Sequence, residues 1–313
     1  MTIVEDKRYH GRRLMMALLM ITMALPALPQ RGKGLAVAFT GDILLDRGVR
    51  ERIEADGVEA LFTPRMDSLL KSADFVVGNL ECPATDIHAP VLKKFIFRAE
   101  PKWLNTLRRH GFTHLNLANN HSVDQGRRGL MSTIENIRKY GMVPVGAGRN
   151  MDEAARPCLI ASKPRKVFLL TSVIIPLENF PLLRNKPSPS RLQVESLCDS
   201  VTMLKKRFPG SCVVVNLHWG VEHTLKPTLV QRRDARRLID AGADAVIGHH
   251  THTLQSSEYY KGKPIFYSIG NFIFDLHNEV NRRGAVVMLY ISKNRVEAEQ
   301  HGYIIKKCTP YLQ

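Results

Sequence analysis

The sequence predicts an α/β fold, a two-sheet β-sandwich flanked by helices. Three observations point there. Apolar runs alternate with stretches of helical spacing, strand then helix then strand. The runs are continuous and rich in Val, Ile and Leu, as strands covered on both faces read. They also outnumber the helices, which suits a second sheet.

In order, LAVAFTG (35–41) is a buried strand, and a helical stretch follows to about residue 70. DFVVGNLE (74–81) is a short apolar run ending in polar residues. PKWLNTLRRHG (101–111) has helical spacing with a glycine stop, and THLNLANNH (113–121) is a strand running into polar residues. LMSTIENIRKYG (130–141) is a helix closed by a glycine. CLIAS and KVFLLTSVI, within 158–174, are two strands in hairpin order, and NFPLLRNKPSPSRLQ (179–193) is a proline-rich loop. ESLCDSVTMLKKRFPG (195–210) is helical, CVVVNLHWG (212–220) a buried strand and TLVQRRDARRLIDAG (228–242) a helix. DAVIGHH, PIFYSIGNFIF and AVVMLYIS complete the strands.

The chain has 313 residues, 44% hydrophobic and 24% charged, the balance of a globular protein. Its start reads as a leader. Lys7, Arg8, Arg12 and Arg13 precede an apolar stretch, Leu14 to Leu28, which Pro26 would break as a helix. A membrane-spanning helix needs about 20 apolar residues. The expected domains are a signal peptide or N-terminal anchor over 1–30 and one large domain over 31–313. The protein is then exported to the periplasm or cell envelope; a buried N-terminal helix is the competing reading. Ala24, Pro26 and Ala27 give no clean A-x-A cleavage site, so membrane association through an uncleaved N-terminus stays open.

Net charge is +16, of which +14 lies beyond the leader. Such a balance suits an anionic partner, a polyacid or lipid headgroups. Pairs such as Arg108-Arg109 and Arg236-Arg237 read equally as solvated helix faces. No aromatic-plus-basic pattern occurs, which argues against nucleic acid. The five cysteines are odd in number and form no C-x-x-C, so neither a disulfide framework nor a zinc ribbon is predicted.

Five apolar runs end in polar clusters: Gly41-Asp42, Asn79-Leu80-Glu81, Asn119-Asn120-His121, His218-Trp219-Gly220 and Gly248-His249-His250-Thr251-His252. In α/β sheets, loops at the carboxyl ends of strands converge on binding sites. One such ending is ordinary turn chemistry. Five, each offering carboxylate, carboxamide or imidazole, point to a shared metal centre. Asp, Glu, Asn and His form a hard-to-borderline donor set that suits Zn, Mn or Fe, and no cysteine joins them. In AVIGHHTHTLQ (245–255), the spacing of His250 and His252 along a strand aims both rings to one side, with His249 pointing away. Trp219 reads as a packing residue rather than a substrate platform.

The series FTGDILLDRG, GNLE, LANNHSVDQG, NLHWGVEH, GADAVIGHHTH and YSIGNFIFD resembles the CapA family. That is the poly-γ-glutamate capsule-synthesis group of the calcineurin-like metallophosphoesterase superfamily. The likeness runs from about Leu35 to Asp275. It implies a metallophosphatase-like fold holding one or two divalent metal ions. Asp42, Glu81, Asn120, His218, His250 and His252 are then metal ligands, with Glu81 bridging, and His121 is the transition-state histidine. The chain departs from the wider superfamily in two places. No histidine stands two residues after Asp42, and Asn-Leu-Glu replaces Gly-Asp-x-x-Asp. One metal position is thus a ligand short, and a single metal is compatible with the pattern.

A divalent metal lowers the pKa of bound water from roughly 15.7 to about 7. His121 would donate a proton to a leaving group or stabilise developing charge. Asp124 either caps the helix beginning near Arg127 or orients His121, with the cap favoured. Glu222 either orients a metal ligand or is a surface glutamate. Arg47 would hold an anionic substrate group, and Asn271 with Asp275 would line the same rim or form a turn. Two functions follow. The first is an exported metal-dependent hydrolase or transferase acting on a phosphoester or amide in an anionic polymer. The alternative is non-enzymatic: a component that binds the polymer or a membrane synthase complex, with a structural metal.

Overall fold

The computed structural model describes residues 34–276 and 278–313; the predicted leader lies outside them. Every element below belongs to the compact unit Lys33–Gln313. The strands are β1 (Leu35–Ile43), β2 (Phe75–Leu80), β3 (His114–Asn116), β4 (Val143–Val145), β5 (Ala147–Gly148), β6 (Cys158–Ala161), β7 (Val167–Val173) and β8 (Ser188–Pro189). They continue with β9 (Cys212–His218), β10 (Ala245–His249), β11 (Ser257–Tyr260), β12 (Lys263–Phe266), β13 (Asn271–Ile273), β14 (Arg283–Ile291), β15 (Val296–Lys306) and β16 (Thr309–Leu312). The first sheet runs β16-β15-β14-β1-β2-β3-β4, with β13 also on β1; the second runs β11-β12-β10-β9-β7-β6. Around β1–β4 and around β7, β9, β10 and β12 the pairing is parallel, so these strands share one carboxyl end in each sheet.

Side-chain alternation sorts each strand's residues between two faces. Val37, Phe39 and Val77 of the first sheet pack with Leu169, Val214 and Ile247 of the second. The outer face of the first sheet, with Ala38 and Val76, is covered by α1 (Gly48–Asp56), α2 (Pro64–Lys71), α3 (Leu104–Arg109) and α4 (Gly126–Lys139). After a short α5 (Met151–Ala154), α6 (Val194–Arg207) and α7 (Leu229–Asp240) cover Leu170, Val215 and Val246 of the second. The predicted sandwich with flanking helices is therefore the observed architecture.

Three local expectations change. The helical stretch to residue 70 is broken by Gly57, whose φ of 81° suits glycine, and restarts at Pro64 under a Thr63 cap that accepts from the Met66 N–H at 3.3 Å. PIFYSIGNFIF is two strands, β12 in the second sheet and β13 in the first; the chain crosses over at Gly270, φ 75°. The C-terminal hairpin β15–β16 carries polar residues on its exposed side and has no apolar run to mark it.

Asp244, just before β10, illustrates how a buried charge is held. Its carboxylate accepts from Lys263 Nζ (2.7 Å), from Lys205 Nζ and from the Val213 N–H (3.0 Å). Burial opposes its charge, but the two ammonium groups win and hold its pKa below the ordinary carboxylate value. A carboxyl lowered on folding stabilises fully above its unfolded pKa, about 3.9, and that contribution fades as pH falls through the folded value. Asp244→Asn is expected to cost about 3 kcal/mol near neutral pH and to flatten the acid limb of stability. Melts from pH 7 to pH 3 check this; a variant profile parallel to wild type would refute it.

Candidate metal centre

The carboxyl ends of both sheets meet at one buried cluster. From the first sheet come Asp42 at the end of β1, Glu81 just after β2 and Asn120 after β3; from the second come His218 at the end of β9 and His250 and His252 after β10. Two groups of donor atoms lie within 4.8 Å of one another: Glu81 with His218 and His250, and Asp42 with Glu81 and His252. Glu81 belongs to both. Its Oε1 is 3.6 Å from His218 Nε2 and 3.9 Å from His252 Nε2. Asn120 Oδ1 is 2.7 Å from His218 Nε2.

Glu81 is fully buried, and among the described residues neither carboxylate oxygen has a hydrogen-bond partner. An unpaired buried carboxylate is costly, so a cation is the natural partner. Electrostatics agree. Burial opposes charge on Asp42, yet the imidazoles of His249 and His252 hold it well below the carboxylate range. Burial, with the Asp42 charge added, pushes Glu81 well above that range. The two acids cannot both ionise unless positive charge sits between them. Burial also pushes His218 down and His250 down to about 3, so both rings stay neutral, as metal ligands must be. Burial lowers His252 too, but Asp42 outweighs it and raises its pKa. The six residues fit one or two divalent cations.

Strand geometry does not orient the histidines as expected, because β10 ends at His249. His250 (φ 91°) and His252 (φ 55°) both adopt left-handed backbone and serve different groups. Nor does His249 point away: its Nδ1 lies 3.2 Å from Asp42 Oδ1.

His121 Nδ1 is 2.8 Å from Asp124 Oδ2, leaving Nε2 free on a ring that lines a small cavity. Asp124 does not cap α4: the residue before that helix is Gln125, and no side chain caps it. The Asp124 carboxylate instead accepts from the Phe97 N–H (2.8 Å) and from Lys93 Nζ (2.8 Å). Nothing in the sequence singles out Lys93, yet its side chain is only 3% exposed. Phe97 stacks on His121 with ring centres 4.2 Å apart, and burial holds His121 below its ordinary pKa.

The cavity, about 90 Å³, is also lined by Arg47, Phe97, Glu222, His252 and Phe274. Arg47 lies over Phe97 and Phe274 and pairs with Asp275. Among the described residues Glu222 reaches no candidate ligand by hydrogen bond or ion pair: it is about half exposed on the rim and pairs with His223. Asn271 contacts no substrate space; it is fully buried, and its Oδ1 lies 2.8 Å from His252 Nδ1, which fixes that ring. Trp219 is buried, donating to the Tyr267 carbonyl, as a packing residue does.

Gly41, beside Asp42, shows how tightly the floor is built. A Cβ there would stand 2.1 Å from the Gly270 carbonyl oxygen. Gly41→Ala must push β13, and with it Asn271, away from His252. A loss of about 3 kcal/mol and weaker metal binding are expected; calorimetry and metal analysis test it, and an unchanged melt with full metal content would refute it.

The family model for bacterial capsule synthesis protein PGA_cap matches residues 36–276. The PGA biosynthesis protein CapA of Bacillus subtilis (strain 168) is 32% identical over 264 residues, 83% of this chain and 68% of that protein. Capsule biosynthesis protein CapA of Bacillus anthracis is 30% identical over 275 residues, 86% of this chain and 67% of that protein. Among solved structures, a 5'-nucleotidase precursor from Thermus thermophilus superposes with a TM-score of 0.50 at 13% identity, over 88% of this chain and 56% of that one. The last likeness is one of fold, and the fold is metallophosphatase-like.

Proposed function

The chain belongs to the bacterial capsule synthesis protein family, and from that premise we propose that it is an exported metal-dependent hydrolase or transferase. It acts on a phosphoester or amide bond during synthesis, export or attachment of a poly-γ-glutamate capsule. The unpaired, buried Glu81 carboxylate shared by two donor groups carries this reading. Asp42 and His252 would hold a cation on one side of Glu81, and His218, His250 and Asn120 on the other. A divalent cation bound there supplies Lewis-acid charge and acidifies water.

The chain's own residues supply the rest. Asp124 fixes His121 through Nδ1, so Nε2 is the nitrogen placed to pass a proton to or from a substrate oxygen or nitrogen. Lys93 neutralises Asp124 and keeps it in place. Arg47, steadied on two aromatic rings, offers its guanidinium to a carboxylate or phosphate of the substrate in competition with Asp275.

The test compares purified wild type with His250→Ala. Bound metal is measured, together with hydrolysis of bis(p-nitrophenyl) phosphate and of γ-glutamyl peptides. Joint loss of metal and turnover in the variant supports the enzyme. Metal without turnover on any substrate, with polymer binding intact in both proteins, would establish the non-enzymatic component instead.

A further inference from the structure

We infer that the chain carries a second anion site, at the end of the sandwich opposite the metal centre, which grips an acidic polymer through successive carboxylates. The metal centre lies where the parallel strands end; this site lies where they begin. Arg165 and Lys166 lead into β7, Ser211 leads into β9, and Lys293 stands in the turn from β14 to β15 on the other sheet. With Arg207 and Phe208 at the end of α6, they line a cavity of about 530 Å³. The seven residues of β9 separate Ser211 from the metal centre, roughly 20 Å at the usual strand rise.

Arg165, Lys166, Arg207 and Lys293 bring four positive charges to this cavity, and among the described residues none of them pairs with a carboxylate. Asp244, bonded to the neighbouring Val213, is held by Lys205 and Lys263, and Glu297 by Arg295. Local structure explains part of the charge. Arg207 stands in the last turn of α6, where a cation suits the helix dipole. Lys166 and Arg207 lie over the Phe208 ring, 4.0 and 5.4 Å from its centre. Neither account covers Arg165. Its Nη1 donates to the Gly210 carbonyl at a long 3.4 Å, while Nε and Nη2 are buried and without a hydrogen-bond partner among the described residues. Ser211 is 2% exposed, and its hydroxyl is likewise buried and unpartnered. Donors withdrawn from water are costly to leave unpaired, and a carboxylate in the cavity would satisfy them. Size and layout select a chain over a lone ion. The four cations come from three separate segments, and one small anion would reach only some of them. Carboxylates spaced along a backbone meet them in turn, and the methylenes between can lie on the Phe208 ring. The choice of polyglutamate as that chain rests on the polymer reading above; the site itself needs no metal. Its role is to retain polymer, apart from any chemistry done on it.

The test titrates full-length protein into a fluorescent poly-γ-glutamate oligomer in chelator, with anisotropy read at fixed low salt. Wild type is expected to bind. Arg165→Ala, and the exposed pair Lys166→Glu with Lys293→Glu, should each weaken binding by about tenfold or more. The pair Lys102→Glu with Lys139→Glu makes the same change in net charge away from the cavity and should bind as wild type does. Metal-loaded turnover of bis(p-nitrophenyl) phosphate should be the same in all of these proteins, because so small a substrate does not span the two sites. No polymer binding by wild type, undiminished binding in the Lys166/Lys293 variant, or an equal loss in the Lys102/Lys139 control overturns the inference. So does binding to phosphatidylglycerol vesicles without binding to the soluble polymer, or full displacement of the polymer by inorganic phosphate at an equal concentration of charge. Absence of turnover in wild type would sink the proposed reaction and leave the polymer titration standing, so the two failures are separable.

Discussion

Replacing Glu81 with Gln empties the centre of metal while leaving the metal-free protein more stable. Gln keeps the shape of the side chain but loses the charge that both donor groups share. Removing a ligand should cost at least the tenfold to hundredfold in affinity that loss of a supporting residue typically costs; losing a shared one affects both positions. Hydrolysis should fall with metal content. The stability change has the opposite sign. Glu81 is buried beside the Asp42 charge, and its pKa is raised on folding. Such a group destabilises the fold as pH climbs through that raised value. An amide escapes that penalty, so near neutral pH the chelator-treated variant should melt a few degrees above chelator-treated wild type, for about 1–2 kcal/mol. Full metal content in the variant, or a lower melt in chelator, would refute the assignment.

The second large effect concerns His121. His121→Ala is expected to lower kcat by about 10²–10⁴-fold with metal content unchanged, since the ring is not among the proposed ligands. Asp124→Asn should lower kcat less, by loosening the ring. In the double variant, the Asp124 change should add almost nothing, because its effect passes through His121. Additive losses would show that Asp124 acts independently. Loss of metal in His121→Ala would make the residue part of the ion's support instead.

The architecture is legible because its inner strands are unbroken apolar runs. The centre is legible because those runs stop at Asp42, Glu81, Asn120, His218 and His250, side chains that do not end strands merely to make turns. What escapes is whatever depends on facing. Asn216 and Asn271 sit inside or at the start of strands and look like minor polar interruptions, yet each fixes a histidine. Nothing in VLKKFIF says that Lys93 turns inward while Leu92 stands 84% exposed beside it. The His249 ring escapes because alternation holds only along a strand, and beyond the last residue of β10 the backbone turns left-handed. Gly270 likewise hides a change of sheet inside what reads as a single strand.

Because the candidate ligands arrive from both halves of the sandwich, an ion gripped among them would act as a rivet. The interior contacts between the sheets are apolar and non-directional. Coordination bonds reaching Asp42 and Glu81 on one side and His218 and His250 on the other would be directional. The ambient supply of that ion would then govern how long the protein survives, as well as what it can do.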